Sequence, residues 1–169
     1  EAGLILRQLF LDGRVRRALI LTPASVLKQF QEELYEKFVL DVPRYENGIF
    51  KYRDDREEPP RTENPWNAHP LFLASSQLAK RRDRRPELLA AEPFDLVLVD
   101  EAHHARRREF QDVDSFRPNN LLSLLRELRD RGRVKCLILR TATPLQVHPL
   151  EAYDLLHVLG LGGRWGAHP

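Results

Sequence analysis

Short apolar runs alternate with amphipathic stretches along this chain, and that alternation predicts its elements. Ala2 to Leu11 reads as a helix, with Leu4, Ile5, Leu9 and Phe10 on one 3.6-residue stripe and Gly13 as its stop. Ala18 to Leu21 has strand length and ends at Thr22-Pro23, where the proline takes the chain out of a sheet. Ser25 is placed to cap a second helix that turns Phe30, Leu34 and Phe38 inward and Lys28, Gln29 and Glu32 outward. A short strand is expected near Val42 to Tyr45. Residues 46–70, charged and punctuated by Pro59, Pro60, Pro65 and Pro70, then read as a mobile surface insertion with Trp66 tucked into it.

Leu71 to Ala74 is a second buried run, followed by Ser75-Ser76, a helix from about Gln77 and a short helix over Pro86 to Ala91. Phe94 to Val99 is the strongest strand signal, nearly all apolar, as a parallel strand covered on both faces should be. After a charged connection over 105–117, Asn119 to Arg131 carries Leu121, Leu122, Leu125 and Leu128 on one helical face. Val134 to Leu139 is a last buried strand, ending at Thr141-Ala142-Thr143-Pro144. A closing helix runs from about Pro149 to Leu159 and stops at Gly160, Gly162 and Gly163. Strand-length apolar runs separated by amphipathic helices predict an α/β domain with a mostly parallel sheet. In such sheets ligands sit beyond the C-terminal ends of the strands. The polar turns at Thr22-Pro23, Ser75-Ser76, Asp100-Glu101 and Thr141-Ala142-Thr143 should therefore share one rim.

The 169 residues suffice for one domain with a sizeable core, and no run of about 18 apolar residues exists to cross a membrane. The chain contains no Met, which is the expectation for a piece of a longer protein. The lone Cys136, inside the run Val134 to Leu139, reads as a buried structural thiol, and the absence of disulfide pairs points to a reducing, cytoplasmic setting. Net charge is only +2, but Lys80 to Arg85 and Arg106 to Arg108 are concentrated basic clusters. They fit either a phosphate backbone or a solvated face with acids nearby.

The sharpest chemical signal is Leu96-Val97-Leu98-Val99-Asp100-Glu101-Ala102-His103, two carboxylates leaving a buried strand. Neighbouring side chains of a strand point to opposite faces, so both can reach solvent only at its end. Phosphoryl transfer from ATP needs Mg²⁺ against the phosphate oxygens and a group that orients or deprotonates water. Asp100 suits the metal role, held partly through water, and Glu101 the water-activating role. His103 and His104 do not make a zinc site, since there is one Cys and no second His at a ligand spacing.

Several stretches in order resemble the first RecA-like motor lobe of superfamily-2 helicases, most closely the Swi/Snf-type DNA translocases. Glu1 to Leu6 resembles the helix after the family's phosphate loop, and Ala18 to Phe30 resembles its DNA-contacting motif. Leu73-Ala74-Ser75-Ser76 resembles the next strand-end motif, Asp100 to His103 the Walker B box, and Leu139 to Gln146 the coupling motif. The wording Asp-Glu-Ala-His-His-Ala-Arg resembles the bacterial RNA-polymerase-associated type. The resemblance implies a three-layer α/β/α lobe of an ATP-driven motor on double-stranded DNA, using Mg²⁺ and ATP, in the bacterial cytoplasm with the nucleoid. It assigns Asp100 to Mg-ATP, Glu101 to water, and His103, Thr141 and Thr143 to coupling. Thr22, Pro23, Lys28, Ser75 and Ser76 fall near the DNA. Implied partners are duplex DNA, a second RecA-like lobe and RNA polymerase or another complex.

One departure matters. No Gly-x-x-x-x-Gly-Lys-Ser/Thr occurs in the sequence. The expectation is a lobe truncated before its first helix, with the first strand and phosphate loop missing, a sheet edge left open and no turnover by itself. The alternative is a non-catalytic module that uses the fold and the basic clusters to hold nucleic acid or protein. A restriction-type or RNA helicase is a third reading, disfavoured by Thr22-Pro-Ala-Ser-Val-Leu-Lys-Gln29.

Overall fold

The computed structural model describes residues 2–108, 117–143 and 149–161. Glu1, the Pro144-Leu145-Gln146 end of the coupling motif, most of the 105–117 connection, and Gly162 and Gly163 lie outside them. The elements are helix α1 (Ala2–Leu11), strand β1 (Ala18–Thr22), helix α2 (Leu27–Phe38), and strands β2 (Arg44–Glu46), β3 (Ile49–Lys51), β4 (Glu57–Glu58) and β5 (Leu71–Ser75). Next come helices α3 (Ser76–Ala79) and α4 (Arg85–Ala90), strand β6 (Phe94–Val99), helix α5 (Asn120–Asp130), strand β7 (Val134–Leu139) and helix α6 (Pro149–Val158). Among the described residues the sheet has the order β4-β3-β2-β5-β1-β6-β7, parallel from β2 through β7 and antiparallel at β3 and β4.

All five residues of β1 are buried, and β6 is buried except at Asp95, which explains their near-continuous apolar sequences. Alternate side chains feed opposite layers. Ala18, Ile20, Leu73, Leu96 and Leu98 pack under α1 and α2, while Leu19, Leu21, Phe72, Ala74, Val97 and Val99 meet α3, α4, α5 and α6. The result is the expected α/β/α sandwich.

Local expectations fail where a distant contact outweighs them. Leu4 and Ile5 are 62% and 45% exposed, because α1 presents Ala2, Gly3 and Leu6 to the sheet instead. A Cβ on Gly3 would lie 2.2 Å from the Phe38 ring, so this close helix contact needs glycine. Ser25 caps nothing. It lies in a 3₁₀ turn over Ala24–Val26, and α2 starts after it without a side-chain cap. Within α2, Gln31 is fully buried while Phe30 and Phe38 are only partly so. Its amide donates to the carbonyls of Val42 (2.8 Å) and Lys51 (3.1 Å), and its oxygen accepts from Arg44. A polar side chain can be buried there because its hydrogen-bonding groups are used.

Residues 46–70 are not an irregular insertion. The turn Asn47-Gly48, with φ of 51° and 87°, joins β2 to β3, and β3 pairs with β4. Tyr45, Phe50, Trp66 and Phe72 form one ring cluster, with Tyr45–Phe50 centroids 4.9 Å apart and Tyr45–Trp66 5.6 Å. The buried aromatic area holds this charged stretch against the sheet.

Among the described residues β7 pairs with β6, stands at the sheet edge and leaves Cys136 exposed. An apolar run cannot by itself reveal whether a neighbour covers its second side. Both basic clusters are largely matched by acids. Arg81 binds Asp83 (2.8 Å), Arg84 binds Glu87 (3.1 Å) and Arg85 binds Glu127 (2.6 Å). In the second cluster Arg107 is buried in a bidentate pair with Asp154, Arg106 lies 3.6 Å from Glu151, and Arg108 donates to Asn120. Both clusters thus sit largely among acids, the second of the two readings their sequence allows.

At the end of α6, His157 Nδ1 lies 2.9 Å from the Arg126 guanidinium and must accept from it. Burial first, and then Arg126 and Arg129, hold His157 below the ordinary histidine value of about 6.5. The unfolded chain therefore takes up this proton before the folded one does. Stability present above about pH 6.5 is lost as the pH falls toward the folded-state value. His69, depressed by burial, and His104, depressed by burial and then by His103, act in the same direction. Replacing His157 by Gln is expected to make urea stability fall less steeply between about pH 6.5 and 5; an unchanged pH profile would remove His157 from this role.

Candidate functional site

Parallel registry brings the predicted turns to one rim. Thr22 lies beside Ser75, Leu21 beside Val99, and Val99 beside Leu139, so β1, β5, β6 and β7 end together. Backbone bonds continue the order beyond the strands. The Asp100 N–H donates to Leu21 O (2.8 Å), Arg140 N–H to Val99 O (2.9 Å) and Ala102 N–H to Arg140 O (2.9 Å). The carboxylate pair is therefore tied on both sides before any side chain contributes.

Glu101 has φ 51° and ψ 48°, a left-handed conformation costing a non-glycine residue about 1–2 kcal/mol. That bend takes the chain off β6 into the 3₁₀ turn Ala102–His104. Strain of this kind persists only where the surroundings enforce it, and it clusters at functional sites. His103 Nδ1 lies 3.2 Å from Glu101 Oε2 and 3.0 Å from Thr141 Oγ1, and the Thr143 N–H donates to the same hydroxyl (3.2 Å). One imidazole thus connects the carboxylate after β6 to the two threonines after β7. The structure brings together Glu101, His103, Thr141 and Thr143, which sequence reasoning could only name separately.

Asp100 is buried, and its Oδ1 accepts from Arg140 Nη1 at 2.8 Å. The importance of Arg140 was missed, although its place between Leu139 and Thr141 in the coupling motif was a usable signal. This cation pairs with a nearly buried carboxylate and orients it. The donor set suits Mg²⁺ in kind. Asp100 and Glu101 offer hard carboxylate oxygens, and no group of three or more His, Cys, Asp or Glu gathers among the described residues. A few protein oxygens completed by water and phosphate is how Mg²⁺ is commonly held at phosphoryl-transfer sites.

The residues expected near DNA are partly committed elsewhere. Thr22 is buried and its hydroxyl donates to Pro23 O (3.1 Å). Ser75 caps α3 by accepting from the Leu78 N–H (3.0 Å), and Ser76 is buried beside Gln77. Lys28 is exposed on α2, and Pro23 is partly exposed. Gln77, which the sequence reading passed over, accepts from the Ala24 N–H (3.1 Å) and so fastens the β5 exit to the β1 exit.

The family model for the type III restriction enzyme res subunit (ResIII) matches residues 2–145. An ATP-dependent helicase of Bacillus subtilis, YqhH, itself described as uncharacterized, is 32% identical over 96% of this chain and 24% of its own length. The RNA polymerase-associated protein RapA of Proteus mirabilis is 27% identical over 94% of this chain and 15% of its own. The chain therefore spans about a quarter or less of the curated relatives it matches. Among solved structures, the SWI2/SNF2 ATPase core of Sulfolobus solfataricus, solved with double-stranded DNA, superposes with a TM-score of 0.58 at 16% identity. That match covers 92% of this chain and 27% of the other.

Proposed function

Because this chain belongs to the ResIII helicase family, as a first RecA-like lobe of the superfamily-2 Swi/Snf type, we propose that it serves a motor that hydrolyses ATP to move along double-stranded DNA. The observation that carries this reading is the Glu101–His103–Thr141 connection across the ends of β6 and β7. A carboxylate that acts on water is useful to a motor only if its position depends on another surface. His103 supplies such a dependence, since movement of Thr141 changes what holds the ring that contacts Glu101.

In this mechanism Asp100 would hold Mg²⁺, with Arg140 keeping the carboxylate oriented. The ion, when bound with ATP, draws charge from the phosphate oxygens. Glu101 orients the attacking water and accepts its proton. Thr141 and Thr143 report the state of the site to the rim, where Pro23, Lys28 and backbone amides near Thr22, Ser75 and Ser76 face phosphate oxygens. Such contacts position a duplex without reading its sequence. The 169 residues contain no Gly-x-x-x-x-Gly-Lys-Ser/Thr, so hydrolysis is assigned to the whole motor, with its phosphate loop and second lobe. The name of the RapA relatives supports RNA polymerase as a partner, and such a motor works in the bacterial cytoplasm at the nucleoid.

The test is steady-state ATP hydrolysis by the full motor with and without duplex DNA. Duplex is expected to stimulate turnover. Hydrolysis indifferent to duplex overturns the translocase reading, and no hydrolysis under either condition favours a binding module on this fold.

A further inference from the structure

A second charged site lies at the opposite end of the sheet. Between α4 and α5 is a cleft of about 530 Å³ whose wall carries Arg82, Arg85, Arg131 and Arg133. Arg133 directly precedes β7, and its carbonyl accepts from the Phe94 N–H at the start of β6. Six residues of β6, about 20 Å of strand, separate this level from Asp100. The cleft is therefore distinct from the Asp100–Glu101 rim.

Glu127 is the one acid in the wall. Both of its oxygens are occupied, Oε2 by Arg85 at 2.6 Å and Oε1 by Arg131. Four arginines against one glutamate leave three positive charges uncompensated. Arg82 is exposed and has no ion pair or hydrogen bond among the described residues. Arg133 is partly buried, and its Nε is fully enclosed without an acceptor. Arg133 also has no ion pair among the described residues, so its guanidinium charge, like that of Arg82, is available to an anion in the cleft. The floor is apolar, made by Pro86, Leu89 and Ala90.

The far side of α4 decides which anion fits. Pro86 and Ala90 also border a neighbouring cleft that carries Glu63, Glu87 and Glu92. An extended polyanion crossing α4 would run from the arginine wall toward Glu63 and Glu92, with Glu87 beside them already paired to Arg84. A short acidic peptide ends before that repulsion and can place an apolar side chain on the Leu89 floor. We propose that the α4–α5 cleft is a docking site for a short acidic protein segment, its carboxylates on Arg82 and Arg133 and an apolar side chain on Leu89.

The test is fluorescence anisotropy of the full motor protein with a fluorescein-labelled hexapeptide of five glutamates around one leucine. The control is the same peptide with glutamines. The acidic peptide is expected to bind and to weaken with added salt. Arg82→Glu and, separately, Arg133→Gln should each weaken it at least tenfold. Arg82 is exposed, so its variant tests the site with the fold intact, as circular dichroism would check. Unchanged affinity in Arg82→Glu, or equal binding of the glutamine peptide, overturns the proposal. A hexanucleotide single strand that binds more tightly than the acidic peptide also overturns it and reassigns the cleft to nucleic acid.

Discussion

In the full motor, Glu101→Gln is expected to lower ATP turnover on the order of 10²–10⁴-fold while leaving nucleotide binding intact. Glutamine keeps the length of the side chain and can keep the contact with His103 Nδ1, which lies 3.2 Å from Glu101 Oε2 in the native protein. It cannot take a proton from water. The left-handed backbone at Glu101 does not depend on the side-chain charge, so the bend into the 3₁₀ turn should survive. Phosphate release and titration with a fluorescent nucleotide separate the two effects. Turnover near the native rate would remove Glu101 from its proposed role. Asp100→Asn should behave differently, weakening the metal-dependent part of nucleotide binding and freeing Arg140 from its 2.8 Å ion pair.

Arg107→Ala and Asp154→Ala should each cost about 3–5 kcal/mol of unfolding free energy, because either leaves its partner charged and buried. The two side chains are each 3% exposed and meet through bonds of 2.9 and 2.8 Å. The pair ties the segment after the 3₁₀ turn to α6, holding the chain that follows Glu101 against the helical layer. Arg107→Met with Asp154→Leu should recover much of the loss, since no charge is then stranded. Urea unfolding of the four proteins measures the two losses and the recovery. A cost below about 1 kcal/mol in both single variants would mean that water reaches the pair.

Much of the architecture is written in local pattern. Phe94 to Val99 and Ala18 to Thr22 are apolar at nearly every position because both faces of a parallel sheet are covered, and that burial leaves its mark residue by residue. The shared rim followed from parallel strands ending together, and the Asp-Glu-Ala-His wording from the chemistry at one such end. Even the β2–β3 turn carried a local signal, Asn47-Gly48 between Tyr45-Glu46 and Ile49-Phe50, which the surrounding prolines and charges obscured.

What the sequence by itself determined, then, is the order and kind of the elements and the carboxylates at the rim, because helix period, strand length and turn chemistry act over a few residues. Only the tertiary structure decided which groups meet across long separations. Arg140 against Asp100, His103 between Glu101 and Thr141, Arg107 against Asp154 and Gln31 beneath Val42 are choices among many cations, acids and amides. The pairing of both arginine clusters belongs to the same class. Burial and charge compensation depend on neighbours distant in the chain, and periodicity records only a residue's own side of its element.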